Sequence, residues 1–254
     1  MDNIGKFNSD REYLEAVKTL INCTQETNHR VNFFKEKILP SVHGGNILDI
    51  GIGNGELSKN LYNSFDLIHL VDPSLRALDS IDSKEFLGKD IQKFNTRIED
   101  FNFSHDFYDL IVNSHTLYHL KRDDWQPIII QSFAALKPKG TMLIVINNGL
   151  GRSKLTNVLG ASNIIDIERL IEECVSIHNA FINIVPIYEQ CETYILEEAL
   201  KIIGVFLQDI NFKVSKHCII DYLDKNCSTE GKYKIDYCQY YFIIRKDLIN
   251  KCIN

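Results

Sequence analysis

The sequence predicts an α/β protein: a mostly parallel sheet with helices on both faces. Two observations predict it. Short apolar runs alternate with helical patterns through most of the chain, and those runs are apolar on consecutive residues, so both faces of each strand are meant to be covered. The chain has 254 residues, 44% of them hydrophobic and 24% charged, enough for a full core without long disordered stretches.

The elements follow in order. Residues 9–39 read as helical, because Leu14, Val17, Leu20 and Ile21, and then Val31, Phe34, Ile38 and Leu39, keep helical spacing. Pro40 ends the second segment and His43-Gly44-Gly45 makes a turn. Ile47–Ile50 is a strand closed by glycines, and Glu56–Tyr62 is the helix after it. Leu67–Val71 is a strand stopped by Asp72-Pro73, and Asp109–Asn113 is another. Trp125–Leu136 reads as a helix with Asp123 or Asp124 as its N-cap, ending before the turn Lys137-Pro138-Lys139-Gly140. Thr141–Asn147 is the most apolar strand. After Gly149-Leu150-Gly151 come a helix around Asp166–Val175, a β-like run Ala180–Ile187, a helix Glu197–Leu207 and a final strand Tyr237–Arg245. The excursion between the last strands would cap one end of the sheet, with those strands as an edge hairpin.

Composition narrows function. Lys+Arg is 28 against Asp+Glu 34, a net charge of −6, which lacks the basic footprint of a nucleic-acid binder and suits a small neutral or cationic ligand better. The 7 cysteines form no C-x-x-C pair, which gives no support to a zinc ribbon or thioredoxin-type site. Their odd number, and an N-terminus without a basic region before an apolar run, read as reduced thiols in a cytoplasmic protein. No apolar stretch approaches the ~18 residues a membrane span needs.

The strongest chemical feature is Asp49-Ile-Gly51-Ile-Gly53-Asn-Gly55 between a strand and a helix. Glycines let the backbone turn sharply and approach a ligand, and the helix start offers free N–H groups. Alone, this bend equally fits a tight turn. Asp72 ends the next strand 21 residues after Gly51. There an acid can accept hydrogen bonds from both ribose hydroxyls of an adenosine, although a solvated aspartate before proline reads as readily by itself.

ILDIGIGNGELS (47–58), VDPS (71–74), RIEDF (97–101), FYDLIVNSHTLYHL (107–120) and LKPKGTMLIVI (136–146) resemble, in order, the motifs of class I S-adenosylmethionine-dependent methyltransferases. The resemblance covers roughly residues 40–147 and implies a Rossmann-like, seven-stranded, mostly parallel sheet. A dinucleotide oxidoreductase is disfavoured, since its third glycine falls one residue later. The resemblance implies one domain over 1–254: an N-terminal helical lid (1–40), a cofactor-binding half (41–150), and substrate-side helices with an edge hairpin (151–254). It implies S-adenosyl-L-methionine as cofactor. Asp49, Gly51, Gly53 and Gly55 would form the bend beside the methionine part. Asp72 would hold the ribose, Pro73 and Ser74 would lie beside the adenine, and Asn113 and Ser114 would offer backbone carbonyls to the ammonium. Ile98 would sit at the adenine edge. Where many members carry an acid just before it, this chain has Arg97, with Glu99 close by.

Glu12-Tyr13-Leu14-Glu15, Cys23–Leu39 and the order of the C-terminal elements are similar to the histamine N-methyltransferase group. That similarity implies a small-molecule acceptor, an amine. Glu26 would bind it, His115 would stand where the group has a Gln, Tyr118 matches its Tyr, and Asp236 falls where it has amides. An amine attacks only when neutral, so Glu26, His115 and Asp236 are candidates to orient it and take its proton, with Tyr13 and Tyr118 as an aromatic wall. Glu26 also reads as a solvated helix residue. His115 and His119, without a third ligand, read as packing or capping residues, so no metal is expected. An RNA- or protein-modifying methyltransferase, a non-catalytic cofactor-binding interaction protein and aminopropyl transfer remain the alternatives.

Overall fold

The computed structural model describes residues 3–4, 7–42, 44–53, 55–147, 170, 172–174, 176–177, 179–207 and 214–247. Its longer elements, in chain order, are α1 (Asp10–Asn22), α2 (Glu26–Phe33), β1 (Asn46–Ile50), α3 (Glu56–Leu61), β2 (Leu67–Val71), α4 (Leu75–Asp79), β3 (Asp90–Phe94), β4 (Tyr108–Ser114), α5 (Trp125–Ala135), β5 (Leu136–Asn147), β6 (Ala180–Thr193), α6 (Leu196–Leu207), α7 (Lys216–Asn226) and β7 (Lys232–Lys246). The sheet runs β3-β2-β1-β4-β5-β7-β6, and the two-residue strand Ser228–Thr229 pairs antiparallel with the start of β7. The chain divides into a larger unit (His29–Ile146, Ile167–Val185, Tyr240–Asn254) and a smaller one (Met1–Asn28, Asn147–Asp166, Pro186–Gln239).

In the larger unit β1 lies parallel to β2 and β4, β3 to β2, and β5 to β4. The apolar runs explain this directly. Ile47, Leu48, Ile68, Leu70, Leu110, Ile111 and Leu143 are fully buried, as only strands covered on both faces can be. The seven-stranded, mostly parallel sheet expected from the sequence is therefore present, with one two-residue strand added. The β1–α3 bend, the β2–α4 turn and the end of β4 all lie at the carboxyl edge of these parallel strands, where an open α/β sheet leaves its crevice.

The smaller unit packs α1, α6 and α7 around Leu20, Ile202, Ile203, Phe206, Leu223 and Tyr237. Ser9 caps α1 by accepting the Glu12 N–H at 3.2 Å. Asn3–Ile4 pairs antiparallel with Val214–Ser215.

Several elements differ from expectation. The two helical segments expected over 9–39 are parted at Cys23-Thr24-Gln25, and the second continues after α2 as a wider turn over Phe34–Ile38. The turn Lys137–Gly140 lies within β5, whose pairing with β4 is irregular between Tyr108 and Leu110. Asp124 precedes α5, but its side chain makes no capping hydrogen bond, because the 3₁₀ turn Arg122–Asp124 leads straight into the helix. β6 runs on to Thr193 past the polar Tyr188–Glu192, and β7 starts at Lys232. β3 was not visible as a strand, since its polar sequence is largely exposed. Of the helix around Asp166–Val175, Leu170 and residues 172–174 are described, and they are helical. His43, Asn54, Gly149, Leu150 and Gly151 lie outside the described residues. Among the described residues, no helix is long and apolar enough to cross a membrane, and no three His, Cys, Asp or Glu side chains gather to hold a metal.

Candidate active site

The glycine bend is built from the strand upward. β1 ends at Ile50, whose lateral neighbours in register are Val71 of β2 and Asn113 of β4. Gly51 follows with φ +70°, and its N–H donates to the Val71 carbonyl at 2.8 Å. A Cβ there would lie 2.2 Å from Thr116 Oγ1, so the position accepts glycine alone. Gly53 also has positive φ, +55°, yet a Cβ there would meet nothing within 4 Å. Gly51 is thus a packing glycine and Gly53 a cradle glycine. Gly55 donates its N–H to the Ile52 carbonyl at 2.8 Å and accepts from Lys59 at 2.9 Å, starting α3. Asp49 is buried beneath the bend, and Tyr62 after α3 donates to its Oδ2 at 3.2 Å.

Asp72 stands one strand over, with only 7% of its surface exposed. Its Oδ1 accepts the Ser74 N–H at 2.8 Å, and the backbone N–H groups of Gly53 and Ile52 also hydrogen-bond to it. Burial pushes this carboxyl above its ordinary value, while those backbone bonds and the nearby His119 pull the other way without overcoming it. The bend and Asp72 therefore form one hydrogen-bonded constellation. Ser74 caps α4 through the Ala77 N–H at 3.3 Å, and the carbonyls of Asp72 and Pro73 receive the Asn95 amide at 3.3 and 2.9 Å. Beyond β3, Ile98 is buried, whereas the Arg97 guanidinium is exposed and donates to Glu99 Oε1 at 2.6 Å.

The other flank is the end of β4. Asn113 is 3% exposed, and its Oδ1 has no hydrogen-bond partner. Ser114 Oγ accepts from Arg30 Nη1 at 3.2 Å. His115 sits in the left-handed region at φ +58° and donates its N–H to the Val145 carbonyl at 2.9 Å. That conformation is uncommon in a non-glycine residue and costs about 1–3 kcal/mol. Thr116 Oγ1 then reaches back to the Ile50 carbonyl at 2.8 Å, locking this elbow onto the glycine bend. The Tyr118 side chain lies outside the described residues.

The remaining predicted residues belong to the smaller unit. Glu26 begins α2 and is 4% exposed. Tyr237 donates to its Oε2 at 2.6 Å, Thr24 and the Tyr237 hydroxyl lie 3.1 Å apart, and the Glu26 N–H reaches Thr24 Oγ1 at 3.3 Å. Burial, with Glu26 and Cys191 nearby, pushes the Tyr237 phenol up. Glu26 is therefore a buried, braced carboxylate, not the solvated helix residue that was its other reading. Asp236 precedes Tyr237 in β7, so it faces the opposite side of the strand, exposed and accepting from Gln190 Nε2 at 2.5 Å. The structure does not bring Asp236 to Glu26. Tyr13 is half-buried against Phe7, ring centroids 5.4 Å apart.

Arg30, Thr116, Thr24 and Tyr237 were missed in the sequence. Thr116 and Tyr237 lie inside segments already singled out, but nothing local marks them, since their partners stand 66 and 211 residues away.

The bend fits an adenosine-bearing cofactor on two observations: the open space over Gly53, and the partnerless buried Asn113 Oδ1 on the opposite flank. Residues 24–163 match the profile of a methyltransferase domain. No curated protein sequence matches the chain. Among solved structures, a Bacillus halodurans protein named as a candidate methyltransferase superposes with a TM-score of 0.61 at 11% identity, covering 88% of this chain and 100% of that one. The N-methyltransferase NodS from Bradyrhizobium japonicum, in complex with S-adenosylhomocysteine, gives 0.57 at 16% identity over 93% and 99%. A Haemonchus contortus phosphoethanolamine N-methyltransferase with S-adenosylmethionine gives 0.56 at 18% identity, covering 87% of this chain and 53% of that longer one.

Proposed function

The chain belongs to the methyltransferase-domain family and is an S-adenosylmethionine-dependent methyltransferase, and from that premise we propose that it methylates the nitrogen of a small amine. The observation that carries the acceptor class is Glu26. Burying a carboxylate is costly unless partners compensate it, and an acid held in that state selects for cationic or hydrogen-bond-donating ligands over neutral ones. The likeness of the N-terminal helices to the histamine N-methyltransferase group points the same way, and the fold accommodates N-methyl transfer, since NodS has it.

When bound, the cofactor supplies a methyl group on sulfur that is already electrophilic. The chain's own residues then bind, orient and keep water away. Gly51, Gly53 and Gly55, supported by Asp49, would form the bed for the methionyl part. Asp72 would accept from the ribose hydroxyls, and Pro73, Ser74, Arg97 and Ile98 would border the adenine. The carbonyls of Asn113 and Ser114 would receive the ammonium. Glu26, braced by Tyr237 and Thr24, would orient the acceptor amine in its neutral form. His115, which follows β4, would accept the proton that the amine loses. Tyr13 and Tyr118 would flank a cationic acceptor, whereas Asp236, on the face of β7 opposite Tyr237 and paired with Gln190, would not reach one held by Glu26. The reduced, cytoplasmic setting read from the cysteines belongs to the same proposal.

The test is Glu26→Gln with a panel of amines, phenols and thiols, labelled cofactor and product mass. The variant is expected to raise acceptor KM or lower kcat roughly tenfold or more while S-adenosylhomocysteine affinity stays unchanged. Equal activity of variant and parent, or product from phenols and thiols only, would withdraw the amine assignment.

A further inference from the structure

Two free thiols of the smaller unit stand side by side although 168 residues separate them in sequence: Cys23, at the C-cap of α1, and Cys191 on β6. The backbone sets their spacing. The N–H of Glu192, the residue after Cys191, donates to the Cys23 carbonyl at 3.0 Å. Standard bond lengths put each cysteine Cα about 2.4 Å from its hydrogen-bonding atom, so the two Cα atoms lie about 5–6 Å apart, inside the range a disulfide spans.

The side chains share one environment. Cys191 is fully buried on the inward face of β6, with Glu189 and Thr193, in the apolar cluster that holds Leu20, Ile202 and Tyr237. Cys23 packs against that same cluster and is only half-buried. Burial pushes the Cys191 thiol up, and Glu26, Cys23 and Glu189 add to the effect, so Cys23 stands within electrostatic reach of that sulfur. Burial, then Glu198, raises Cys23 as well. The thiolate is the reactive form, so the pair reacts slowly at neutral pH and rests as two thiols in a reducing setting. The two cysteines also divide the work that bridge formation needs: Cys23 is reachable from solvent, and Cys191 is reachable from Cys23.

We propose that Cys23 and Cys191 form a reversible modification site, a thiol pair that a small-molecule disulfide closes into a bridge. The Cys23 thiolate attacks one sulfur of glutathione disulfide, whose S–S bond breaks and releases one glutathione. The Cys191 thiolate then attacks the Cys23 sulfur of the mixed disulfide and expels the second. The two protein sulfurs lose two electrons, and one glutathione disulfide becomes two thiols that take up the two protons. The bridge ties the end of α1 to β6 three residues before Glu26, and it stands whether or not Glu26 holds the acceptor.

The test treats the full chain with excess glutathione disulfide at about pH 8.5, near the ordinary thiol value, followed by alkylation, digestion without reductant and peptide mass. The peptides bearing Cys23 and Cys191 are expected joined, with two hydrogens lost, and dithiothreitol should part them. The bridged form should show a higher urea midpoint that falls back on reduction, because a bond closing so long a loop restricts the unfolded chain. Exposed Cys218 reports that the oxidant acts. Cys191→Ala should stop at a glutathione adduct on Cys23, which then has no thiol to resolve it. Glutathione on Cys218 with Cys23 and Cys191 both unmodified would overturn the proposal. So would an adduct that persists on Cys23 of the parent, or a bridge that lowers the urea midpoint.

Discussion

Gly51 and Gly53 have nearly the same backbone conformation but opposite surroundings, and replacing each with alanine separates packing from binding. In both, an alanine enters the left-handed region at a cost of about 1–2 kcal/mol, partly offset by about 0.4–1 kcal/mol from the stiffer unfolded chain. At Gly53 the account ends there, because the new methyl meets nothing within 4 Å. At Gly51 the methyl would lie 2.2 Å from Thr116 Oγ1 and 2.8 Å from its Cγ2, so Thr116 must move and its 2.8 Å bond to the Ile50 carbonyl is lost. That adds about 1 kcal/mol for the hydrogen bond and about 1–2 for the overpacking. Gly51→Ala should therefore lose about 2–4 kcal/mol and Gly53→Ala about 1, or roughly 5–15 °C against a few degrees in Tm. Binding should show the reverse emphasis. The Gly53 methyl fills the cradle and should weaken S-adenosylhomocysteine by about 1–3 kcal/mol, out of proportion to its effect on stability. Adding Thr116→Ala to Gly51→Ala removes the colliding atoms and should recover about 1–2 kcal/mol in a double-mutant cycle. Urea denaturation and titration calorimetry read all these quantities. Equal destabilisation by the two glycine variants, or a Gly51→Ala cost that ignores the residue at 116, would refute the division into packing and cradle glycines.

Asp72 has a folded pKa raised above its unfolded value of 3.8, so its ionised form is penalised in the fold: the penalty is absent below that value and complete above the folded pKa. Asp72→Asn should raise the urea midpoint at neutral pH, lose that advantage as pH falls below the ordinary carboxylate range, and weaken S-adenosylhomocysteine by about 1–3 kcal/mol. His69 shows the opposite case: burial lowers its pKa from 6.5, and Nδ1 lies 2.8 Å from the Tyr108 hydroxyl among Phe94 and Phe107. Stability should fall as pH drops below that unfolded value, and His69→Gln should flatten the slope of the urea midpoint over roughly pH 5 to 7.5; an unchanged slope would remove His69 as its source. Tyr237→Phe strips the 2.6 Å donor from Glu26 and should cost about 1.5–3 kcal/mol of stability and raise acceptor KM, leaving cofactor affinity untouched; a shift in cofactor affinity would contradict this assignment.

What could be read from the sequence was local or periodic. Strands buried on both faces leave unbroken apolar runs, so β1, β2, β4 and the core of β5 were visible. β3 was not, because its polar residues face solvent and its place is set by hydrogen bonds to β2 alone. The bend was visible because positive φ at 51, 53 and 55 favours residues without a Cβ. Asp72 was visible because a parallel strand–helix–strand unit sets a nearly constant distance to the next strand end. The braces lay beyond reach for the complementary reason. Thr116 on Ile50, Arg30 on Ser114 and Tyr237 on Glu26 each join residues from 66 to 211 positions apart. No pattern along the chain encodes such a contact, because it exists only once sheet order and register have brought the two segments side by side. The sequence by itself determined the fold class and the cofactor bend. Tertiary structure decided which glycine packs and which is open, that Glu26 is buried and not solvated, and that Asp236 faces away from it.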